Sequence, residues 1–212
     1  MITITSFTFG PLAENTYLLH NENGELVIID PGCYTAAERK VVSDFIADNK
    51  LSPKLLLNTH CHLDHVFGNK FIAGNWNLSP CLHAAEQPVL ENAPLSGLQW
   101  GLPFDGYTGP LHFLREGDIV SLGEDTLKVI FAPGHSPGHC CFYCSGQQFL
   151  IGGDVLFRMG IGRTDLPGGD FDVLLNSIRR QLFTLPPETI VYPGHGEPTT
   201  IAFEMKHNPF LG

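Results

Sequence analysis

Basic residues are scarce in this sequence and nowhere clustered: 12 Lys and Arg stand against 22 Asp and Glu, a formal net charge of −10. The densest basic pair is Arg179-Arg180. Nucleic-acid binding rests on Lys and Arg neutralising phosphates, so nucleic acid is not an expected partner. Long apolar runs are missing as well. None approaches the roughly 18 residues of a membrane span. The first nine residues lack the basic-then-apolar pattern of a secretory leader. The expectation is a cytoplasmic protein with no membrane partner. No linker, low-complexity stretch or tandem repeat is visible. With 43% hydrophobic and 16% charged residues the composition is that of a folded chain, and the length suits a single domain over 1–212.

There are six cysteines, and in a reducing compartment disulfides are not expected between them. Cys141-x-x-Cys144 has no second such pair to complete a zinc site. Within HCCFYCSG it reads as part of a strand in which cysteine serves as a small apolar side chain.

Helices and strands both recur. Strands are expected over 2–9 and 15–20 around a turn at Gly10-Pro11, and over 26–29, ending at the turn Asp30-Pro31-Gly32. A helix over 35–49 carries a capping box, Thr35 with Glu38, and an apolar face of Val41, Val42, Phe45 and Ile46. A buried strand over 54–57 precedes a helix expected at about 65–73. Residues 90–110, rich in Gly and Pro and carrying Trp100, Phe104 and Tyr107, read as an irregular loop, either roofing a site or simply connecting elements. Strands follow over 118–122, 126–131, 139–144, 148–151 and 188–192. Asp170 caps a helix whose apolar face is Phe171, Leu174, Leu175, Ile178 and Leu182, and a short helix is expected over 200–207.

Histidine is what the sequence has in excess, with ten. His60, His62, Asp64 and His65 fall within six residues, directly after a buried strand. His60 and His62 are two apart, so an extended backbone points both the same way, and Asp64 and His65 fall at the start of the next helix. His135, Asp154 and His195 each follow a further strand, in turns containing glycine that can bend the backbone toward a common centre. Five histidines and two aspartates suit zinc, and also iron or manganese. Seven ligands exceed one tetrahedral ion. They fit two metals that share a carboxylate and leave a position open for water. Cys61 alternates away from His60 and His62. His20, His83, His112, His139 and His207 are read as non-ligands, with His139 in a supporting place behind the site.

The motif His60-x-His62-x-Asp64-His65, followed in order by His135, Asp154 and His195, resembles the metallo-β-lactamase superfamily. Within it the chain looks most like the glyoxalase II branch, in its short single-domain bacterial form. Further matches are Pro133-Gly134-His135-Ser136-Pro137-Gly138, Gly153-Asp154-Val155-Leu156-Phe157, Gly162-Arg163-Thr164-Asp165, Tyr192-Pro193-Gly194-His195-Gly196 and His207-Asn208-Pro209-Phe210. The resemblance implies an αββα sandwich of α+β class with the metals at one edge of the two sheets. It implies that His60, His62 and His135 hold one metal, that Asp64, His65 and His195 hold the other, and that Asp154 bridges.

The implied reaction is hydrolysis of a thioester, with S-lactoylglutathione or a related hydroxyacyl thioester as substrate, by a hydroxide lying between two divalent ions, zinc first. Asp64 would also orient the nucleophile. Two-domain relatives carry a longer helical C-terminal region that grips glutathione; the resemblance to the short form implies that this region is not expected here, so the expected thiol carrier is glutathione or another thiol. Arg163 and Arg158 are candidate partners for a substrate carboxylate, Arg163 pairing with Asp165 being the structural reading of the first. Zinc β-lactamases commonly carry cysteine where Asp154 stands, and they are exported, whereas no secretory leader is expected here, so antibiotic hydrolysis is not expected. A persulfide dioxygenase of the same superfamily, holding one iron through His60, His135 and Asp154, is the rival activity. A nuclease is opposed by the charge, and a flavodiiron role by His62 where Glu is usual.

Overall fold

The computed structural model describes residues 1–211. Six strands lie side by side in chain order in the first sheet: β1 (Thr3–Phe9), β2 (Glu14–His20), β3 (Glu25–Ile29), β4 (Ser52–Leu57), β5 (Pro80–His83) and β6 (His112–Leu114). β1 to β3 are antiparallel and β3 to β6 parallel. The second sheet starts as a meander of β7 (Ile119–Leu122), β8 (Asp125–Phe131), β9 (Cys140–Cys144) and β10 (Phe149–Gly153). The chain then makes a small hairpin, β11 (Leu156–Phe157) with β12 (Gly160–Ile161), and returns as β13 (Ile190–Pro193), parallel to β10, and β14 (Thr199–Thr200).

Alternation along the strands dictates the layers. Leu19, Val27, Ile29 and Leu57 of the first sheet meet Leu127, Val129, Phe142 and Ile151 of the second in one central core. Their neighbours Leu18, Leu26, Ile28 and Leu56 point the other way, onto Val42 and Ile46 of α1 (Ala36–Asp48). Ile72 and Ala73, in a helix over 69–76, join the same cluster. Outside the second sheet, Ile130, Leu150 and Val191 pack on Leu174, Ile178 and Ile201. A period of two thus gives each sheet two apolar faces, one for its partner and one for helices. The result is the four-layer αββα sandwich expected from the sequence.

The alternation also disposes of the cysteine pair. Cys140 and Cys144 face the central core with Phe142, whereas Cys141 faces the outer one, so Cys141 and Cys144 lie on opposite faces of β9. All six cysteines are free and buried. Burial pushes the Cys33 and Cys140 thiols up to about 12.

The expected caps are present. Thr35 and Glu38 form the capping box of α1, and the Asp170 side chain accepts from the Val173 N–H. Two expectations need correction. The single helix anticipated at 65–73 is two, α2 (Leu63–Val66) and α3 (Asn69–Trp76), joined through Phe67 and Gly68. Gly68 packs so closely on Cys33 and Pro31 that an added Cβ would lie 2.5 Å from the cysteine sulfur. The irregular loop expected at 90–110 is helical in its first half, within α4 (Gln87–Gln99). Pro94 and Gly97 mask a helical pattern whose buried positions are Leu90, Ala93 and Gly97. Gly97 is there for room, since a Cβ would meet the Leu102 carbonyl at 2.6 Å. The short strands β5 and β6, unanticipated from sequence, border this segment. The remaining helices are α5 (Phe171–Arg180) and α6 (Ile201–His207). No helix among the described residues is long and apolar enough to cross a membrane.

Two measurements check this packing. Phe142→Ala, which empties the centre of the inter-sheet core, is expected to cost about 3–5 kcal/mol in urea unfolding. An aromatic disulfide reagent at pH 8 is expected to find no reactive thiol in the native protein and all six after denaturation.

Candidate metal centre

The seven expected ligands lie at the carboxyl ends of β4, β8, β10 and β13 or just beyond them, which the sheet packing brings to one edge. His60 and His62 leave β4, and Asp64 and His65 sit on the short α2. His135 follows β8, Asp154 follows β10 and His195 follows β13. Open sheets commonly place their sites at this end of the strands.

Two groups form. His60 Nε2 and His62 Nδ1 lie 3.2 and 2.9 Å from His135 Nε2. Asp64 Oδ2 lies 3.2 Å from His195 Nε2 and 3.9 Å from His65 Nε2. Within each group the potential ligand atoms are no more than 4.8 Å apart. Asp154 stands between them. Its Oδ2 is 3.5 Å from both His135 Nε2 and His195 Nε2, and its Oδ1 is 3.5 Å from His65 Nε2. Gly194 is part of this geometry, because a Cβ there would lie 2.1 Å from Asp154 Oδ1 and 2.7 Å from the His65 ring.

The residues fit divalent cations by their own chemistry. Buried His65 Nε2 and Asp154 Oδ1 have no hydrogen-bond partner, and an orphaned buried polar atom is costly unless something else satisfies it. In the first group, burial and the neighbouring His135 push His62 down to about 3, and burial drives His60 well below the ordinary histidine range. His135 is lowered too, again by burial. All three are therefore neutral at pH 7 and present lone pairs. In the second group burial is outweighed by the carboxylates: Asp154 and Asp64 raise His65, and the hydrogen bond that the His195 ring donates to Asp64 raises His195. Burial would raise Asp154, yet the charge on His65 holds it far below the usual carboxylate range.

Outer groups set the tautomers. Nδ1 of His65 donates to Asp30, that of His135 to the Arg163 carbonyl, that of His60 to Thr59 Oγ1, and that of His195 to the Leu12 and Ala13 carbonyls. Four Nε2 atoms are thereby left facing inward, and only His62 offers Nδ1. Such partners orient ligating histidines and raise their basicity.

Sequence reasoning missed the carboxylates that organise the loops. Asp30 accepts from the Thr59 N–H at 2.7 Å, Thr59 Oγ1 at 2.5 Å and His65 at 3.1 Å. The sequence marks it only as the first residue of a turn; its φ of +47° is the left-handed conformation that Asp tolerates better than most. Glu86, fully buried at the start of α4, accepts from the Cys61 N–H between two candidate ligands and from the Gly138 N–H and Ser136 hydroxyl beside a third. No spacing in the sequence marked Glu86. His139 is the supporting group expected: its ring stacks on His60, and its Nε2 accepts the Asp154 N–H at 3.0 Å.

The two groups open on a cavity of about 760 Å³. Cys61, Trp100 and Arg163 are among its lining residues. Arg163 is held in a two-pronged bond by Asp165, at 2.7 and 2.8 Å. Arg158, expected near a substrate carboxylate, is not at the cavity; it lies over the Phe203 ring at 4.5 Å. The segment at 90–110 contributes a helical wall through α4 rather than an irregular roof.

Glu86→Ala would strand three buried donors, each worth about 1–3 kcal/mol. Urea unfolding is expected to show a loss of at least about 3 kcal/mol, and Glu86→Gln, which keeps an acceptor oxygen, a smaller one.

The geometry finds its counterpart among known proteins. Over 203 residues the chain is 37% identical to the probable metallo-hydrolase YqgX of Bacillus subtilis, covering 95% of this chain and 94% of that one. It is 35% identical to the hydroxyacylglutathione hydrolase GloC of Haemophilus influenzae, covering 100% and 96%. Among solved structures, the BLEG-1 B3 metallo-β-lactamase matches with a TM-score of 0.90 at 37% identity, over 99% of both chains. TTHA1623 in a di-iron-bound form matches with a TM-score of 0.87 at 40% identity, over 98% of this chain and 100% of that one. Residues 9–195 match the family model described as the metallo-β-lactamase superfamily, and the chain belongs to that superfamily.

Proposed function

We propose that the protein is a metal-dependent thioester hydrolase acting on a hydroxyacyl thioester of the S-lactoylglutathione type. The observation that carries this is the pair of ligand groups joined by Asp154 at the floor of one cavity. His60, His62 and His135 would hold one divalent ion, Asp64, His65 and His195 a second, and Asp154 both. Such ions supply an attacking hydroxide at neutral pH, by lowering the pKa of water from about 15.7 to about 7, and polarise the carbonyl under attack.

The chain's own groups do the rest. Asp64 lines the cavity and orients the attacking water. The apolar side chains around the floor lower the local polarity and strengthen the charge interactions there. Beyond the His and Asp cluster, only Cys61 and Arg163 among the lining residues can titrate, and burial raises Cys61 well above the ordinary thiol range. The site thus offers no separate general acid. A thioester needs none, because its leaving thiolate has a conjugate acid near pKa 8.5.

The likeness to GloC supports this reading. The expectation against antibiotic hydrolysis rested partly on Asp154; the likeness to BLEG-1 weakens that ground, so a β-lactam belongs in the same assay panel. The di-iron form of TTHA1623 keeps iron beside zinc and manganese as the resident metal.

The test is loss of the S-D-lactoylglutathione thioester with bound metal quantified. Turnover with two metals per chain is expected, falling ~100-fold or more in Asp154→Ala. A protein holding two metals that leaves every thioester intact would end the hydrolase reading. One iron per chain, with oxygen consumed in the presence of glutathione persulfide, would replace it by persulfide oxidation.

A further inference from the structure

The walls of the cavity say more about the substrate than its floor does. One wall is α4, which presents Pro88, Val89 and Ala93; the facing wall presents Phe157, Ile161 and Leu166. The lining contains no lysine and one arginine. That arginine is already matched: Arg163 gives both prongs to Asp165, stands about half exposed and lies 5.8 Å from the Trp100 ring centre. The neutral polar groups on the walls are Asn92 and Ser96, one helical turn apart and hydrogen-bonded at 3.3 Å. They can serve an amide or a hydroxyl but cannot neutralise an anion. The chain as a whole is acidic, at −10, so its field opposes the approach of a polyanion.

We propose that, within the thioesterase reading on which this inference rests, the protein selects thioesters whose acyl and carrier arms are apolar and uncharged, interrupted at most by a neutral amide or hydroxyl. Carriers bearing several carboxylates or phosphates are disfavoured, because entering this cavity strips water from each anion with no unpaired cationic side chain on the walls to replace it. Apolar arms gain from the same walls, each buried CH₂ being worth a factor of about four.

Three substrates separate the terms. S-D-lactoylglutathione and S-D-lactoyl-N-acetylcysteamine share an acyl group and differ in carrier charge. S-hexanoyl-N-acetylcysteamine lengthens the apolar acyl arm on the uncharged carrier. The metal-loaded protein is expected to show kcat/KM about tenfold or more higher for the lactoyl ester of the uncharged carrier, and higher again for the hexanoyl ester. Val89→Lys, which places a cation on the α4 wall, is expected to narrow the gap between the two carriers by raising the glutathione ester. Equal or better turnover of S-D-lactoylglutathione by the unaltered protein overturns the selectivity and leaves the thioesterase standing. Calorimetric binding of two thioethers that cannot be hydrolysed, S-hexyl-N-acetylcysteamine and S-hexylglutathione, reads the walls without turnover. Tighter binding of the uncharged thioether by a protein that cleaves no thioester would uphold the arm selectivity and end the hydrolase reading. Tighter binding of S-hexylglutathione overturns the proposal outright.

Discussion

Two sheets packed face to face decide where everything else goes. Once Leu19, Val27 and Leu57 meet Leu127, Val129 and Phe142, the strand directions are set and the carboxyl ends of β3, β4, β8, β10 and β13 come to one edge. Seven polar side chains can then converge without any of them being part of the core. The rule is economical: the apolar interior supplies the driving force, and the loops that leave it supply the chemistry.

Convergence alone would leave those loops free to splay. Buried carboxylates hold them. Asp30 ties the first ligand loop to the end of β3, and Glu86 ties that same loop to the one bearing His135. Both use backbone N–H groups as partners, which survive substitution of the side chains they flank. A buried carboxylate with several donors is expensive to disrupt and geometrically exact, which suits a group whose task is to hold ligand atoms at fixed separations.

The two kinds of feature differed in how far the sequence disclosed them. The strands were legible as short apolar runs closed by turn residues, such as β3 before Asp30-Pro31-Gly32, the layers came with the family resemblance, and the candidate ligand set was legible because His60, His62, Asp64 and His65 crowd a strand end. Asp30 and Glu86 were not, since their partners, backbone N–H groups together with the Thr59 and Ser136 hydroxyls and the His65 ring, lie 25 to 52 residues distant and form no local spacing pattern. α4 was hidden for a different reason. Pro94 and Gly97 are poor helix residues, and what keeps them helical is contact with α2 and the 101–110 segment, a tertiary effect that local propensity does not contain. Arg163 lines the cavity, and its pairing with Asp165, the structural reading of that residue, is set by the turn that follows β12.

Glu86 is at once the anchor of the ligand loops and the residue from which α4 departs. The cavity wall is therefore held at that end, and held again farther along, where Gly97 packs on Leu102 and Phe104, while Leu95, Leu98 and Trp100 stand exposed. The wall is thus pinned twice, once to the loops that carry the candidate ligand atoms and once to the segment that follows the helix. A change at the second pin reaches the wall through a set of contacts different from those that hold the loops, so the shape of the cavity and the placing of the polar atoms at its floor answer to different residues.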